Sequence, residues 1–233
     1  MTTLSKQIKE GTKKSHTMAE NTGFITCFLK GVVERKSYLR LLCDLYHIYS
    51  AMEKEFVRHQ NDTILSNIYY PELFRKESIE KDLEYYLGEN WRNNITQTKS
   101  CTEYVSRIRE ISNVNQDLLI AHHYTRYIGD LSGGQVLKGI AQTALKVDDE
   151  GMNFYTFKLI PDEKKFKNEY RMTLDNLPFD QNEIDAIIEE ANYAFKLNMN
   201  VFNEIEGNLI STIGKVLFST LTRRKRKGST ENG

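Results

Sequence analysis

Two segments of this 233-residue chain combine residue types that could do chemistry. The first is the run 123–135, in which three glycines and one acid interrupt a helical pattern. A glycine in the interior of a helix costs about 0.5–1 kcal/mol relative to alanine. Because Gly129, Gly133 and Gly134 fall within six residues, they predict that something approaches this backbone very closely, and a flat ligand would do so.

The second segment places an imidazole near two ammonium groups. Steps of four and three residues put Lys9, Lys13 and His16 on one face of an ideal helix, and a further step of four adds Glu20. Neutral imidazole binds iron, and lysines pair with anionic groups. A ligand with a metal centre and peripheral carboxylates, such as a porphyrin, would use all of them. A solvated helix surface is the alternative interpretation of the same spacing.

Close helix packing is the alternative explanation for the glycines. Small residues four apart, as at Gly129 and Gly133, let two helices approach each other without any ligand. The run also contains Arg126, Asp130 and Ser132. Packing alone does not require these three polar residues, so ligand binding accounts for more of the segment.

Other catalytic classes lack their motifs. A carboxylate-bridged di-iron centre needs two Glu-x-x-His repeats, and none of the five histidines has a glutamate three residues before it. Serine hydrolase, P-loop and zinc protease motifs do not occur in the sequence either. The three cysteines, Cys27, Cys43 and Cys101, form no CxxC pair, which argues against a zinc ribbon or a disulfide framework and favours a reducing compartment.

Charge and hydropathy exclude two kinds of partner. The chain has 32 basic and 32 acidic residues, so its overall field attracts neither nucleic acid nor an anionic membrane. No apolar stretch approaches the roughly 18 residues that a membrane span needs. The N-terminus becomes charged too early for a secretory signal, and a protein without a membrane anchor is expected.

The pattern of apolar residues predicts an all-α protein with one domain over 1–222 and a basic, disordered tail over 223–233. Gly31 is expected to end the second helix, and Asp180 with Glu183 has the spacing of a capping box that opens the last one. Helices are predicted over about 3–20, 22–30, 36–59, 73–87, 100–112, 115–146, 161–174 and 180–221.

The same two segments resemble a known family. The glycine-rich run, continued through 136–142, resembles the signature of the haem oxygenases, and 11–21 resembles the segment that carries their axial histidine. The similarity extends from about Leu4 to Ser229 and is to the soluble cyanobacterial and algal plastid members. It includes the segments 46–49, 70–73, 166–171 and 203–210.

The resemblance implies a single all-α domain with haem between a proximal helix and a distal helix kinked at the glycines. Haem would be both substrate and catalytic cofactor. The family opens the macrocycle at its α-meso carbon with dioxygen and electrons, and releases biliverdin IXα, carbon monoxide and ferrous iron. Reduced ferredoxin would supply the electrons, since the chain has no flavin motif, and no zinc is expected. A bilin reductase would then use the product for phycobilin synthesis.

The resemblance also assigns roles to residues by position. His16 would be the axial iron ligand, with its ring oriented by Glu20. Asp130 would organise distal waters, and Gly129 and Gly133 would bring bare backbone over the bound oxygen. The distal network would include Tyr49, Arg126 and Asn198; the propionates would bind Lys9, Lys13, Tyr124, Lys167 and Arg171; Phe195 and Phe202 would wall the pocket; Thr125, Ser132 and Gly134 would make further haem contacts.

Location and alternative functions follow from the same comparison. The expected location is the plastid stroma, or the cytoplasm if the protein is cyanobacterial, and the basic run 223–227 would help to dock an acidic ferredoxin. One alternative is a haem carrier or sensor without turnover, which the intact Asp130 and its flanking glycines disfavour. Another is a non-haem, thiaminase-like relative on the same helical fold, which His16 and its lysines disfavour.

Overall fold

Ten α-helices make up most of residues 3–222, the part of the chain that the computed structural model describes, and no strand occurs there. The all-α prediction is therefore confirmed. The expected basic tail, 223–233, lies outside the described residues. The helices are α1 (Leu4–Glu20), α2 (Gly23–Leu29), α3 (Arg35–Arg58), α4 (Lys76–Leu87), α5 (Lys99–Val114), α6 (Leu119–His123), α7 (Gly129–Leu145), α8 (Glu163–Asp175), α9 (Gln181–Ile213) and α10 (Lys215–Thr222).

Helix α3 lies at the centre of the hydrophobic core. Its apolar residues recur every three or four positions, so Leu42, Ile48 and Met52 are fully buried against α4, α5 and α9. Burial of apolar surface stabilises a fold by about 25 cal/mol per Å². No helix within residues 3–222 is both long and apolar enough to cross a membrane.

Local signals explain where several helices begin and end. The side chain of Asp180 accepts the backbone N–H of Glu183 at 3.0 Å, and Glu183 accepts the N–H of Asp180 at 2.7 Å, so the predicted capping box is confirmed. Gly31, at φ +77°, follows α2 as expected. The prediction of one helix from 180 to 221 is wrong, because Gly214 adopts φ +83° and separates α9 from α10.

Helix α1 packs closely along α9. A Cβ atom added to Gly11 would lie 2.6 Å from Ile188 Cγ2, so only glycine allows this approach. The hydroxyl of Ser15 donates to Asn192 Oδ1 at 2.5 Å, and the Asn192 amide donates to the Gly11 carbonyl at 3.2 Å. These contacts fix the position of α1, which carries His16.

A buried carboxylate joins α5, α6 and α9. Glu190 is 4% exposed and binds Arg107 through two hydrogen bonds of 2.6 and 3.1 Å, and its Oε1 lies 2.9 Å from His122 Nε2. Burial raises the pKa of Glu190, but the hydrogen bonds from His122 and Arg107 outweigh it and lower the pKa from 4.5 to about 2. The ionised form is therefore the one that the fold stabilises.

This lowered pKa predicts a pH-dependent contribution to stability. The contribution is fully present above the unfolded pKa of 4.5 and is lost as pH falls toward about 2. The difference in free energy of unfolding between the wild type and Glu190→Gln should therefore shrink between about pH 5 and about pH 3, as measured by urea unfolding.

Glu110→Gln is the matched control, because Glu110 binds the same Arg107 at 3.0 Å but its side chain is 59% exposed. Its effect should be small at every pH. An equal loss of stability in Glu190→Gln at both pH values would contradict the assignment.

Candidate functional site

A cavity of about 270 Å³ is bounded by α1, α2, α7 and α9. His16 lines it from α1, and Gly129 and Gly133 line it from α7. The cavity therefore brings together the two segments that the sequence singled out. The remaining lining residues are Ala19, Glu20, Ile25, Leu29, Ser132, Val136, Leu137, Ile140, Phe195 and Phe202.

A second cavity, of about 130 Å³, adjoins the first and is more polar. It shares His16, Gly129 and the two phenylalanines with its neighbour. Together the two cavities have an apolar end toward α2 and a polar end toward α6. The polar lining consists of Thr12, Tyr124, Thr125, Arg126, Asp130 and Asn198.

The imidazole of His16 is held between two neighbours. Its ring makes an edge contact with Phe195, with 5.6 Å between the centroids and 74° between the planes. Its Nδ1 lies 4.0 Å from Glu20 Oε1, one turn further along α1. With Nδ1 facing this carboxylate, Nε2 is the ring nitrogen suited to bind a metal.

The glycines of α7 present bare backbone to the cavity. A Cβ atom at Gly129 or Gly133 would meet no heavy atom of residues 3–222 within 4 Å, other than those of its own turn of helix. No second helix is therefore packed against these two positions, which removes the packing explanation for them. Gly134 differs, because it is buried on the side of Tyr155, where an added Cβ would lie 3.6 Å from the ring. The expected haem contact of Gly134 stays a prediction, which only its backbone could make from this position.

The irregular part of the distal helix precedes the glycines. A π-helical turn, Tyr124–Ile128, joins α6 to α7, and Gly129 itself has ordinary helical angles of φ −62° and ψ −47°. Such turns are frequent at functional sites because the extra residue re-aims the side chains around it. Here Tyr124 and Thr125 line the polar cavity. The Thr125 hydroxyl is buried without a hydrogen-bond partner among the described residues.

A hydrogen-bonded network surrounds Asp130 at the polar end. Tyr49 donates a short hydrogen bond to Asp130, and Arg126 Nη2 lies 3.5 Å from Asp130 Oδ1. Arg126 also donates to Tyr49 at 3.0 Å and to Asn198 at 2.8 Å. The structure thus brings together the four residues expected in the distal network. It adds Tyr104, which accepts from the Asn198 amide at 3.5 Å.

The carboxyl group of Asp130 is half-buried and lies beside the fully buried phenol of Tyr49. Burial raises its pKa above the ordinary 3.8, although Arg126 and the hydrogen bond from Tyr49 act in the opposite direction. Burial likewise raises the pKa of Tyr49 well above 10. A carboxyl group whose proton affinity is raised can accept and release protons closer to neutral pH.

The basic residues expected to bind the propionates do not line either of the two cavities. Lys9 is half-buried and Lys13 is exposed, both on the α1 face that carries His16. From α8, Lys167 Nζ lies 3.5 Å from the Ser132 hydroxyl, which lines the cavity. Arg171, one turn further along α8, is half-buried and donates to Asn168 at 3.3 Å.

Sequence reasoning missed the apolar wall. Val136, Leu137 and Ile140 continue the helical stripe begun by Gly129 and Gly133, since steps of three and four keep residues on one face. Ile25 and Leu29, four apart on α2, extend this wall. That periodicity was visible in the sequence but could not be told from an ordinary core face.

Fold and site together define an all-helical protein whose cavity can bind a flat ligand between one histidine and a bare helix backbone. The family model described as "Heme oxygenase" matches residues 2–204. The chain therefore belongs to the haem oxygenase family, as the sequence motifs predicted.

Individual relatives are similar to this protein over almost the whole chain. Heme oxygenase 1 of Synechocystis sp. PCC 6803 is 54% identical over 230 residues, which are 99% of this chain and 96% of the relative. A crystal structure of that organism's heme oxygenase-2 with heme and NO has a TM-score of 0.97 at 46% identity, covering 99% of this chain and 96% of the other. The structure of its heme oxygenase-1 with heme has a TM-score of 0.90 at 53% identity, covering 94% and 100%.

The open space at Gly133 predicts a trade-off between stability and binding. Gly133→Ala should stabilise the ligand-free protein by about 0.5–1 kcal/mol, because alanine is the better helix former and its Cβ meets no protein atom. The same methyl group should crowd a bound haem and weaken its affinity about tenfold. Thermal unfolding and haemin titration measure the two effects.

Gly139→Ala is the matched control on the same helix, since its added Cβ also meets no heavy atom of residues 3–222 within 4 Å and the residue lies outside the main cavity. It should stabilise the protein similarly without changing haem affinity. Equal haem affinity in both variants would show that the backbone at Gly133 does not face the ligand.

Proposed function

We propose that this protein binds haem in the cavity bounded by α1, α2, α7 and α9. It opens the haem macrocycle at the α-meso carbon, with biliverdin IXα, carbon monoxide and ferrous iron as products. The observation that carries the proposal is the position of His16 opposite Gly129 and Gly133, with the Asp130 network at one end of the cavity. Membership of the haem oxygenase family supports it.

The residues present fit a haem. The cavity walls are mainly apolar, as the faces of a porphyrin require, and imidazole is a common axial ligand of haem iron. The glycine backbone leaves a cradle on the side opposite His16. Thr125 lines the polar cavity, and its buried hydroxyl has no hydrogen-bond partner within residues 3–222.

Residues that line the cavity or lie near it would bind and orient the haem. His16 would ligate the iron, with Glu20 holding its ring. Phe195 and Phe202 would pack against the macrocycle from α9. The propionates would pair with the cations and the phenol at the edge, which are Lys9, Lys13, Tyr124, Lys167 and Arg171, and Ser132 beside Lys167 would add a contact.

The distal residues would control where oxygen reacts. Bound haem supplies the iron that activates dioxygen and the carbon that is oxidised. Gly129 and Gly133 would keep side chains away from the oxygen and let the backbone approach it. Asp130, held by Tyr49 and Arg126, would orient water and deliver protons at its carboxyl oxygens, and its raised pKa suits that role.

Electron supply and product use complete the proposal. Reduced ferredoxin would be the donor, since cations near the cavity, such as Lys167 beside Ser132, suit an acidic protein. A bilin reductase would consume biliverdin in phycobilin synthesis, in the plastid stroma or in a cyanobacterial cytoplasm. The domain would span 1–222, and the basic run 223–227, outside the described residues, would assist docking.

A single reaction separates this function from a haem carrier. Haemin is titrated into the purified protein, and then a reductant and air are supplied while the absorbance spectrum is followed. Axial ligation by histidine followed by biliverdin absorbance supports the enzyme. A stable haem spectrum would support the carrier, and absence of binding would contradict both.

Asp130→Asn tests the proton-delivery role within that reaction. It keeps the size of the side chain but removes the titrating group, so haem affinity should change little and biliverdin formation should fall by about 10²-fold or more. Chromatography of the pigments after a fixed time measures the yield. A variant that forms biliverdin at the wild-type rate would remove Asp130 from the mechanism.

The ferredoxin proposal predicts a salt effect on one donor and not on another. With reduced ferredoxin, the KM for the donor should rise several-fold between about 0.05 M and about 0.2 M salt, because screening weakens attraction between opposite charges. Ascorbate-driven turnover serves as the control and should change little. A KM for ferredoxin that is independent of salt would argue against docking through these cations.

A further inference from the structure

A buried histidine outside the proposed catalytic network links two helices of the site. His123, the last residue of α6, is fully buried, and its Nδ1 lies 2.8 Å from the Tyr170 hydroxyl on α8. The two rings are parallel to within 4°, with centroids 5.4 Å apart. Phe56 and Tyr127 pack against the His123 ring at centroid distances of 4.7 and 4.6 Å.

Helix α8 is held at both ends as well as at its buried face, since the Ser5 N–H of α1 donates to Asp175 Oδ1 at 2.8 Å and the Phe166 ring packs on Tyr70 at 5.2 Å. Tyr170 and Leu174 are its two buried residues, and most of its remaining surface is exposed or half-buried. Tyr70 supports it from the α3–α4 connection, with a ring contact of 5.8 Å to Tyr170 and a hydrogen bond of 3.0 Å to Thr173. The hydrogen bond of His123 therefore lies at the centre of the small buried face of α8.

The linked residues stand next to the proposed haem contacts on both helices. His123 directly precedes Tyr124, which lines the polar cavity. Tyr170 lies between Lys167, three residues before it, and Arg171, which follows it. A shift of Tyr170 against His123 would move both cations relative to α7.

A hydrogen bond determines this position more closely than packing alone can. Stacked rings slide and rotate at little cost, whereas a hydrogen bond is directional and is expensive to break in an apolar environment. Burial lowers the pKa of His123 to about 3, so the imidazole is neutral at ordinary pH. The contact between His123 and Tyr170 is therefore a hydrogen bond between two neutral groups.

We infer that His123 is a positioning residue. By binding Tyr170 it sets the distance of Lys167 and Arg171 from α7. These two cations would hold the haem propionates, so their position would determine how the haem is rotated in the cavity and which meso carbon is opened. This inference rests on the proposed function.

Three variants test the link. Tyr170→Phe removes only the hydroxyl, His123→Phe keeps an aromatic ring, and the double variant removes both polar partners. Each single variant should weaken haem binding by about three- to tenfold and raise the fraction of biliverdin isomers other than IXα about tenfold. In the ligand-free protein, amide hydrogen exchange should quicken across 163–175.

The double variant separates positioning from stability. Replacing both hydrogen-bond partners by apolar groups leaves no unsatisfied buried atom, so thermal stability should recover toward the wild-type value. Haem affinity and isomer ratio should stay altered, because the directional contact is still missing. Their recovery together with stability would overturn the inference and leave His123 a purely structural residue.

A second histidine provides the control. His59 Nε2 lies 2.9 Å from the Ser112 hydroxyl of α5 rather than a residue of α8, so His59→Phe should leave the isomer ratio unchanged. If the wild type forms biliverdin and both single variants keep its isomer ratio and haem affinity, the positioning role of His123 is wrong and the proposed function stands. If the wild type binds no haem, the proposed function fails first.

Discussion

The site depends on a helix that approaches its ligand with backbone rather than side chains. Gly129 and Gly133 contribute no side-chain packing to α7, and glycine weakens the helix itself. Three residues of α7 are buried. The helix must therefore be held by contacts made at its other positions.

Polar contacts supply much of that support. Asp130 is bound by Tyr49 and Arg126, and Gln135 donates to the Tyr155 carbonyl at 3.0 Å. The Tyr155 segment is itself fixed by Asp82, whose carboxylate accepts the backbone N–H groups of the two preceding residues at 2.8 Å. Directional hydrogen bonds of this kind fix the distance of α7 from its neighbours, whereas apolar packing alone would let the helix slide. Asp130, the proposed proton donor, is thus also one of the residues that position the backbone of α7.

Whether a feature could be predicted from the sequence depends on how far apart in the chain the interacting residues lie. The capping box at Asp180 and the helix end at Gly31 depend on residues within a few positions, and both were predictable. The break at Gly214 was missed because apolar periodicity continues across it. The π-helical turn before Gly129 has no residue signature, since it depends on how α6 and α7 pack.

The site shows the same division. Spacing placed His16 with its lysines, and glycine content marked α7, because both signals are local. Their meeting across one cavity came only from the resemblance and then from the structure. Gly134 looked like its neighbours in the sequence, yet it faces Tyr155 because a 100° step turns it away from Gly133. The partners of the buried His122 and His123 lie 68 and 47 residues away, beyond any local pattern.

Helix α9 connects the two walls of the cavity. With 33 residues it is about 50 Å long, and steps of three and four place Phe195, Asn198 and Phe202 on the face that lines the site. One to two turns earlier, Ile188 and Asn192 hold α1 through Gly11 and Ser15. Helix α9 therefore positions the proximal wall through α1 and the distal network through the hydrogen bond between Asn198 and Arg126. The separation between His16 and the glycine backbone therefore depends on the contacts that α9 makes with α1 and with Arg126.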